Sequence, residues 1–159
     1  MKTKAYALII VLCTLSLCTL TGCKRDKNEP DTFVSNVARP SWTVPADYDY
    51  SSSMTAVVKV DLKAQYPEMA ADWQLTDNDL IAAFIGETCL GVAQPQEGLF
   101  FLFVAGPNDQ MVNEKMVNLK YYSAFYKNLF EVKNAFPFQN DANLGTIADP
   151  FIPTFVVAK

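Results

Sequence analysis

The sequence predicts an all-β fold, an antiparallel β-sandwich of immunoglobulin-like kind with about seven or eight strands. Short apolar runs recur along the chain, several of them alternating with period two. Clusters of Gly, Pro, Asn and Asp separate these runs, as tight turns require. No stretch repeats apolar residues at the 3.6-residue period of the helices that a doubly wound sheet needs between its strands. Half of the 159 residues are apolar and 13% are aromatic, enough for one core.

Each element follows in order. Trp42 and Val44, bracketed by Pro40 and Pro45, predict a short edge strand, where the missing proline N–H groups do least harm. Met54, Ala56, Val58, Val60 and Leu62 alternate with Thr55, Lys59 and Asp61, a half-buried strand. Residues 67–73 suit the one helical turn, on a long connection. Residues 80–85 are apolar on both faces, and Gly86-Glu87-Thr88 turns the chain into 89–93 as a hairpin. Residues 99–105 (LFFLFVA) read as a strand buried on both faces, ended by Gly106-Pro107-Asn108-Asp109. Val117, Leu119 and Tyr121 alternate with Asn118, Lys120 and Tyr122. A turn near 125–127 returns the chain through 129–133. Phe136 and Phe138 add a short piece, and 151–157 closes the domain as an edge strand beside Pro150 and Pro153.

The chain opens differently. Lys2 and Lys4 precede an apolar run, somewhat short for a bilayer span, that ends at Leu20-Thr21-Gly22-Cys23. This is a secretory leader closing on a tetrapeptide that resembles the bacterial lipoprotein signal. Small residues let a protease close around the backbone, and the thiol takes up the diacylglyceryl group. The expected organisation is a signal peptide over 1–22, a lipidated Cys23 with a polar tether over 23–32, and one β-sandwich domain over 33–159. Acyl chains contribute about 0.8 kcal/mol per buried CH₂, so the anchor holds the protein on the outer membrane, at the cell surface or facing the periplasm. Loss of Cys13 and Cys18 with the leader, and of the Cys23 thiol to lipid, leaves Cys89 alone. Cys89 sits in an apolar strand and is expected to be a buried thiol without a disulfide.

Composition excludes several functions. With no His, Ser–His–Asp and Cys–His catalysis and His-ligated zinc are ruled out within this chain. Seventeen acidic against 13 basic residues speak against a nucleic-acid partner, and the balance is more acidic once Lys2 and Lys4 are gone. There is no P-loop, no G-x-G-x-x-G and no C-x-x-C, and Ser51-Ser52-Ser53 lacks an activating base. The chain is therefore not expected to be an enzyme; a glycoside hydrolase would require two carboxylates meeting across a cleft.

Two constellations invite a binding role. Asp77 and Asp79, with Asp72 and the 140–149 loop, offer oxygens for a structural calcium, and the same residues also satisfy turn amides. Trp42, Trp73, Tyr122 and Tyr126 are candidate ligand-binding residues, flat rings on which sugars stack while nearby amides and carboxylates bond the hydroxyls. The same rings would equally seal the rim of a small core.

A resemblance joins these parts. Trp42, Tyr48-Asp49-Tyr50, the runs 53–58 and 80–86, Cys89-Leu90-Gly91-Val92-Ala93, Gly98 to Gly106, Leu119-Lys120-Tyr121-Tyr122 and Leu144-Gly145-Thr146 resemble a recurrent β domain of Bacteroidota-type cell-surface and secreted proteins. The likeness spans nearly the whole domain. It departs at Ala124-Phe125-Tyr126-Lys127-Asn128, where a Gly-containing turn is usual. It carries over no catalytic or binding residues, and its Gly86, Gly91, Gly98 and Gly145 suit turns or bulges. The expected function is a membrane-anchored surface lipoprotein with a non-catalytic binding or adhesion module, glycan being the more specific ligand. The alternative is a structural or assembly subunit docking to an envelope protein complex by strand addition.

Overall fold

The computed structural model describes residues 33–46, 48, 51–106 and 116–158. All of them fall in one compact unit, Asp31–Lys159. The leader, Cys23, the tether and the Pro107-Asn108-Asp109 turn lie outside the described residues.

Two packed sheets form a sandwich, as the alternation demands. In the first, β1 (Ser53–Val58) points Met54, Ala56 and Val58 into the core and pairs antiparallel with β5 (Leu99–Ala105), in register from Ser53 opposite Ala105 to Val58 opposite Phe100. The two-residue β4 (Pro95–Gln96) extends β5, and β9 (Asn143–Leu144) lies beside β1, giving the order β4-β5-β1-β9. The second sheet runs β10 (Phe155–Val157), β7 (Asn128–Val132), β6 (Met116–Ser123), β2 (Leu80–Ile85), β3 (Thr88–Ala93), and β8 (Phe136–Pro137) pairs with β6 at Met116 and Val117. Every named strand pairing is antiparallel except β1 with β9. The described residues hold ten strands against the expected seven or eight, because β4, β8 and β9 are two-residue pieces too short to carry an alternation.

Tyr121 sits at the centre of the core. Its ring meets Phe155, Phe130 and Phe100 at centroid distances of 5.4, 5.8 and 6.1 Å, so one β6 side chain ties both sheets together. Such aromatic pairs each add about 0.5–1.5 kcal/mol beyond their area. Cys89 is a buried free thiol whose Sγ contacts the Gly91 carbonyl, and burial raises its pKa.

Three local expectations are corrected. The helical turn expected at 67–73 lies earlier, as α1 (Leu62–Gln65), because the Asp61 carboxylate accepts from Ala64 N–H and caps it; 67–72 is a run of turns. Residues 99–105 are not buried on both faces. Phe100, Leu102 and Val104 enter the core, while Phe101 and Phe103 remain 39% and 51% exposed on the outer face of the first sheet. Finally, Trp42 and Val44 form no strand, and the segment around them has another role.

Candidate ligand groove

Residues 33–44 run as a strap across the outer face of the second sheet. Its beginning is plugged into the core: the buried Phe33 ring meets Tyr66, Phe130 and Tyr126 edge-on, at 4.9, 5.3 and 5.6 Å. Asn128 Nδ2 donates to the Phe33 carbonyl at 2.9 Å. Ser35 and Val37 N–H then donate to the Tyr126 and Lys127 carbonyls of the β6–β7 turn, at 3.0 and 2.9 Å. Tyr122 Oη donates to the Val37 carbonyl at 3.3 Å, and Arg39 Nε donates to the Asn78 carbonyl at 3.0 Å. Those bonds satisfy a segment that has no ladder of its own.

Past Pro40 the strap sets Trp42 against Phe84 of β2, with ring centroids 5.7 Å apart and planes at 81°. Phe84 belongs to a small cluster with Ala82, Cys89 and Val92 on the face opposite the main core, and Lys120 Nζ lies 5.2 Å from its ring centroid. That contact fixes the angle of the half-buried indole. Between the strap and the sheet lies an open groove of about 380 Å³, inside the usual range of about 300–1,000 Å³ for ligand sites. Its strap side is 39–43, and its sheet side is Leu80, Val92, Ala93 and Gln94. The groove is therefore lined by an apolar floor, one indole and the polar residues Arg39, Ser41, Thr43 and Gln94.

The candidate aromatics do not share one exposed surface. Trp42 lines the groove, but Trp73, Tyr122 and Tyr126 are only 7%, 4% and 6% exposed. Trp73 and Tyr126 fold inward into the main core, and Tyr126 Oη reaches the Met69 carbonyl. Tyr122 does point away from the core, as its position in β6 requires, yet the strap covers it. Burial, and then the charge of Asp72, raise the Tyr126 pKa.

The structure sets Asp77 and Asp79 in different surroundings. Asp77 is exposed, whereas Asp79 is completely buried. One Asp79 oxygen accepts from Thr76 Oγ1 at 2.8 Å and from Ala124 N–H at 2.9 Å, and the other accepts from the Tyr121 hydroxyl. Burial raises the Asp79 pKa against these bonds, and burial with the nearby carboxylate raises that of Tyr121. Asn140 and Asn143 serve as turn and cross-strand acceptors for Ser53 N–H and Thr55 Oγ1. Among the described residues no three His, Cys, Asp or Glu side chains are grouped to hold a metal.

Arg39, Ser41, Thr43 and Gln94 join Trp42 here without having been singled out from the sequence. The available signal was compositional: Arg39 is the one arginine after residue 32, followed by Pro and flanking an aromatic between two polar hydroxyls. No family model, curated protein or solved structure matches the chain.

Proposed function

We propose that the protein is an outer-membrane lipoprotein, displayed at the cell surface or facing the periplasm, whose β-sandwich is a non-catalytic binding module that captures glycans at the Trp42 groove. The observation that carries the reading is the groove: an indole held at a fixed angle by Phe84, in a cleft also lined by Arg39, Ser41, Thr43 and Gln94. A sugar ring has apolar C–H faces and an equatorial belt of hydroxyls. An aromatic wall with a polar rim complements both.

Trp42→Ala is expected to lower affinity for a bound oligosaccharide at least tenfold while the Tm shifts by only a few degrees, because Trp42 packs on the small outer cluster. Isothermal titration across a polysaccharide panel, beside thermal melting, checks it; retained affinity would remove the groove from the binding account. The anchor has its own test. Cys23→Ala is expected to abolish incorporation of labelled fatty acid and release the protein from membranes, and a variant that still labels would end the lipoprotein reading.

A second reading, docking to an envelope protein, is favoured by one feature, the exposure of Phe101 and Phe103 on the outer face of the first sheet. Phe101→Ser would then weaken co-purification with that complex and leave glycan binding intact.

A further inference from the structure

We infer that the groove selects sugars bearing a carboxylate, uronic or sialic acid residues, with Arg39 as the side chain that recognises the acid. The inference rests on the reading of the groove as a glycan site and adds the ligand's charge class. Arg39 is held from its inner end. Nε donates to the Asn78 carbonyl, which fixes the guanidinium at the groove while its two terminal nitrogens remain available. Among the described residues no carboxylate lies within ion-pair distance of Arg39; the one ion pair there is Lys120–Glu131, at 3.5 Å.

Charge composition gives this weight. The chain carries 17 acidic residues, yet among the described residues none pairs with Arg39, its one arginine after residue 32, which lines the groove. A planar guanidinium meets a planar carboxylate through two parallel N–H···O bonds, a geometry a lysine cannot reproduce. The net acidity of the chain, 17 acidic against 13 basic residues, also weighs against a densely sulfated polymer. Trp42 then stacks on the ring, and Ser41, Thr43 and Gln94 bond its hydroxyls. The Gln94 Nε2 already donates to the Asp77 carbonyl at 3.3 Å, leaving its Oε1 to accept from a sugar O–H.

The experiment uses the full chain in detergent micelles, titrated with oligogalacturonate, hyaluronan fragments and sialyllactose, each beside its carboxyl-reduced form, and with a heparin fragment. At least one acidic oligosaccharide is expected to bind about ten- to a hundredfold more tightly than its reduced partner, as one charge-assisted pair implies. Raising salt should narrow that gap. Arg39→Gln should close the gap between the acidic ligand and its reduced form, taking far more affinity from the acidic one. Arg39→Lys, which keeps the charge but not the fork, should retain part of the gap and controls for loosening of the strap. Equal binding of acidic and reduced forms overturns the carboxylate assignment while leaving a glycan groove standing. Preference for heparin overturns it as well. Binding of none of the probes, acidic or reduced, removes the glycan reading and this inference together.

Discussion

Asp79→Ala is expected to lower the Tm by on the order of 10 °C or more, one of the two largest effects of a single substitution in this domain. The carboxylate is fully buried and receives the Tyr121 hydroxyl, the Ala124 N–H and the Thr76 hydroxyl. Removing it strands those donors, at about 1–3 kcal/mol for each that stays buried without a partner. Tyr121 is also the ring on which both sheets converge, so its displacement would spread. Set against a typical total stability of about 5–15 kcal/mol, the loss is severe.

Asp79→Asn should behave very differently, and its pH profile carries the test. Burial raises the Asp79 pKa above its ordinary value of 3.8. The folded state thus holds the proton more tightly than the unfolded chain does. The contribution from protonation is fully present below pH 3.8 and is lost as pH rises through the raised folded value. An asparagine resembles the protonated form and does not titrate. In thermal melts from pH 3 to pH 8, the Tm difference between Asp79→Asn and the parent should therefore move in the variant's favour as pH increases. A difference independent of pH would show that this carboxylate is no more costly to ionise when folded than when unfolded.

Gly91→Ala is the second large effect. A Cβ on Gly91 would lie 2.4 Å from the Phe103 carbonyl oxygen and 3.3 Å from its carbon, both backbone atoms of β5 in the other sheet. Packed sheets usually stand about 10 Å apart, so at Gly91 the two backbones approach unusually closely. The site is also irregular: Ala83 faces Gly91 while Phe84 faces Cys89, so Leu90 is an extra residue in the β2–β3 ladder. No side-chain rotation relieves a clash with main chain, and moving either strand disturbs the core around Leu90 and Val104. The expected loss is about 1–3 kcal/mol for alanine, with more for valine, read as a lower denaturant midpoint. Gly98→Ala is the control. Its φ of +83° makes alanine strained, but a Cβ there meets nothing within 4 Å, so its cost should be smaller. An unchanged midpoint for Gly91→Ala would mean the sheets separate freely at this corner.

The sequence made the strands legible wherever one face is solvated and the other buried. Met54, Ala56 and Val58, or Val117, Leu119 and Tyr121, alternate because the sandwich has two sides. It misled where chemistry and environment part. All seven residues of LFFLFVA are apolar, so nothing in the string distinguishes Phe100, which is buried between the sheets, from Phe101, which lies on the outer face. Tyr122 falls on the outward side of the β6 alternation whereas Tyr126, in the turn beyond it, folds into the core; what covers Tyr122 is an aperiodic segment 85 residues away, and contacts of that kind leave no local pattern. The β6–β7 turn shows the same limit. Lys127 adopts φ +49° where a glycine would be easier, and Ser123 Oγ accepts from Tyr126 N–H within the turn. Of the candidate site, one aromatic was readable, and its neighbours became visible only when strap and sheet were brought together.

Phe33 also governs how the domain answers a mechanical load. Among the described residues, tension applied from the N-terminal side meets that ring first, wedged among Tyr66, Tyr126 and Phe130 and cleated by Asn128, several residues before Arg39 or Trp42. Under the proposed anchoring, a pull on the chain would load this wedge ahead of the groove.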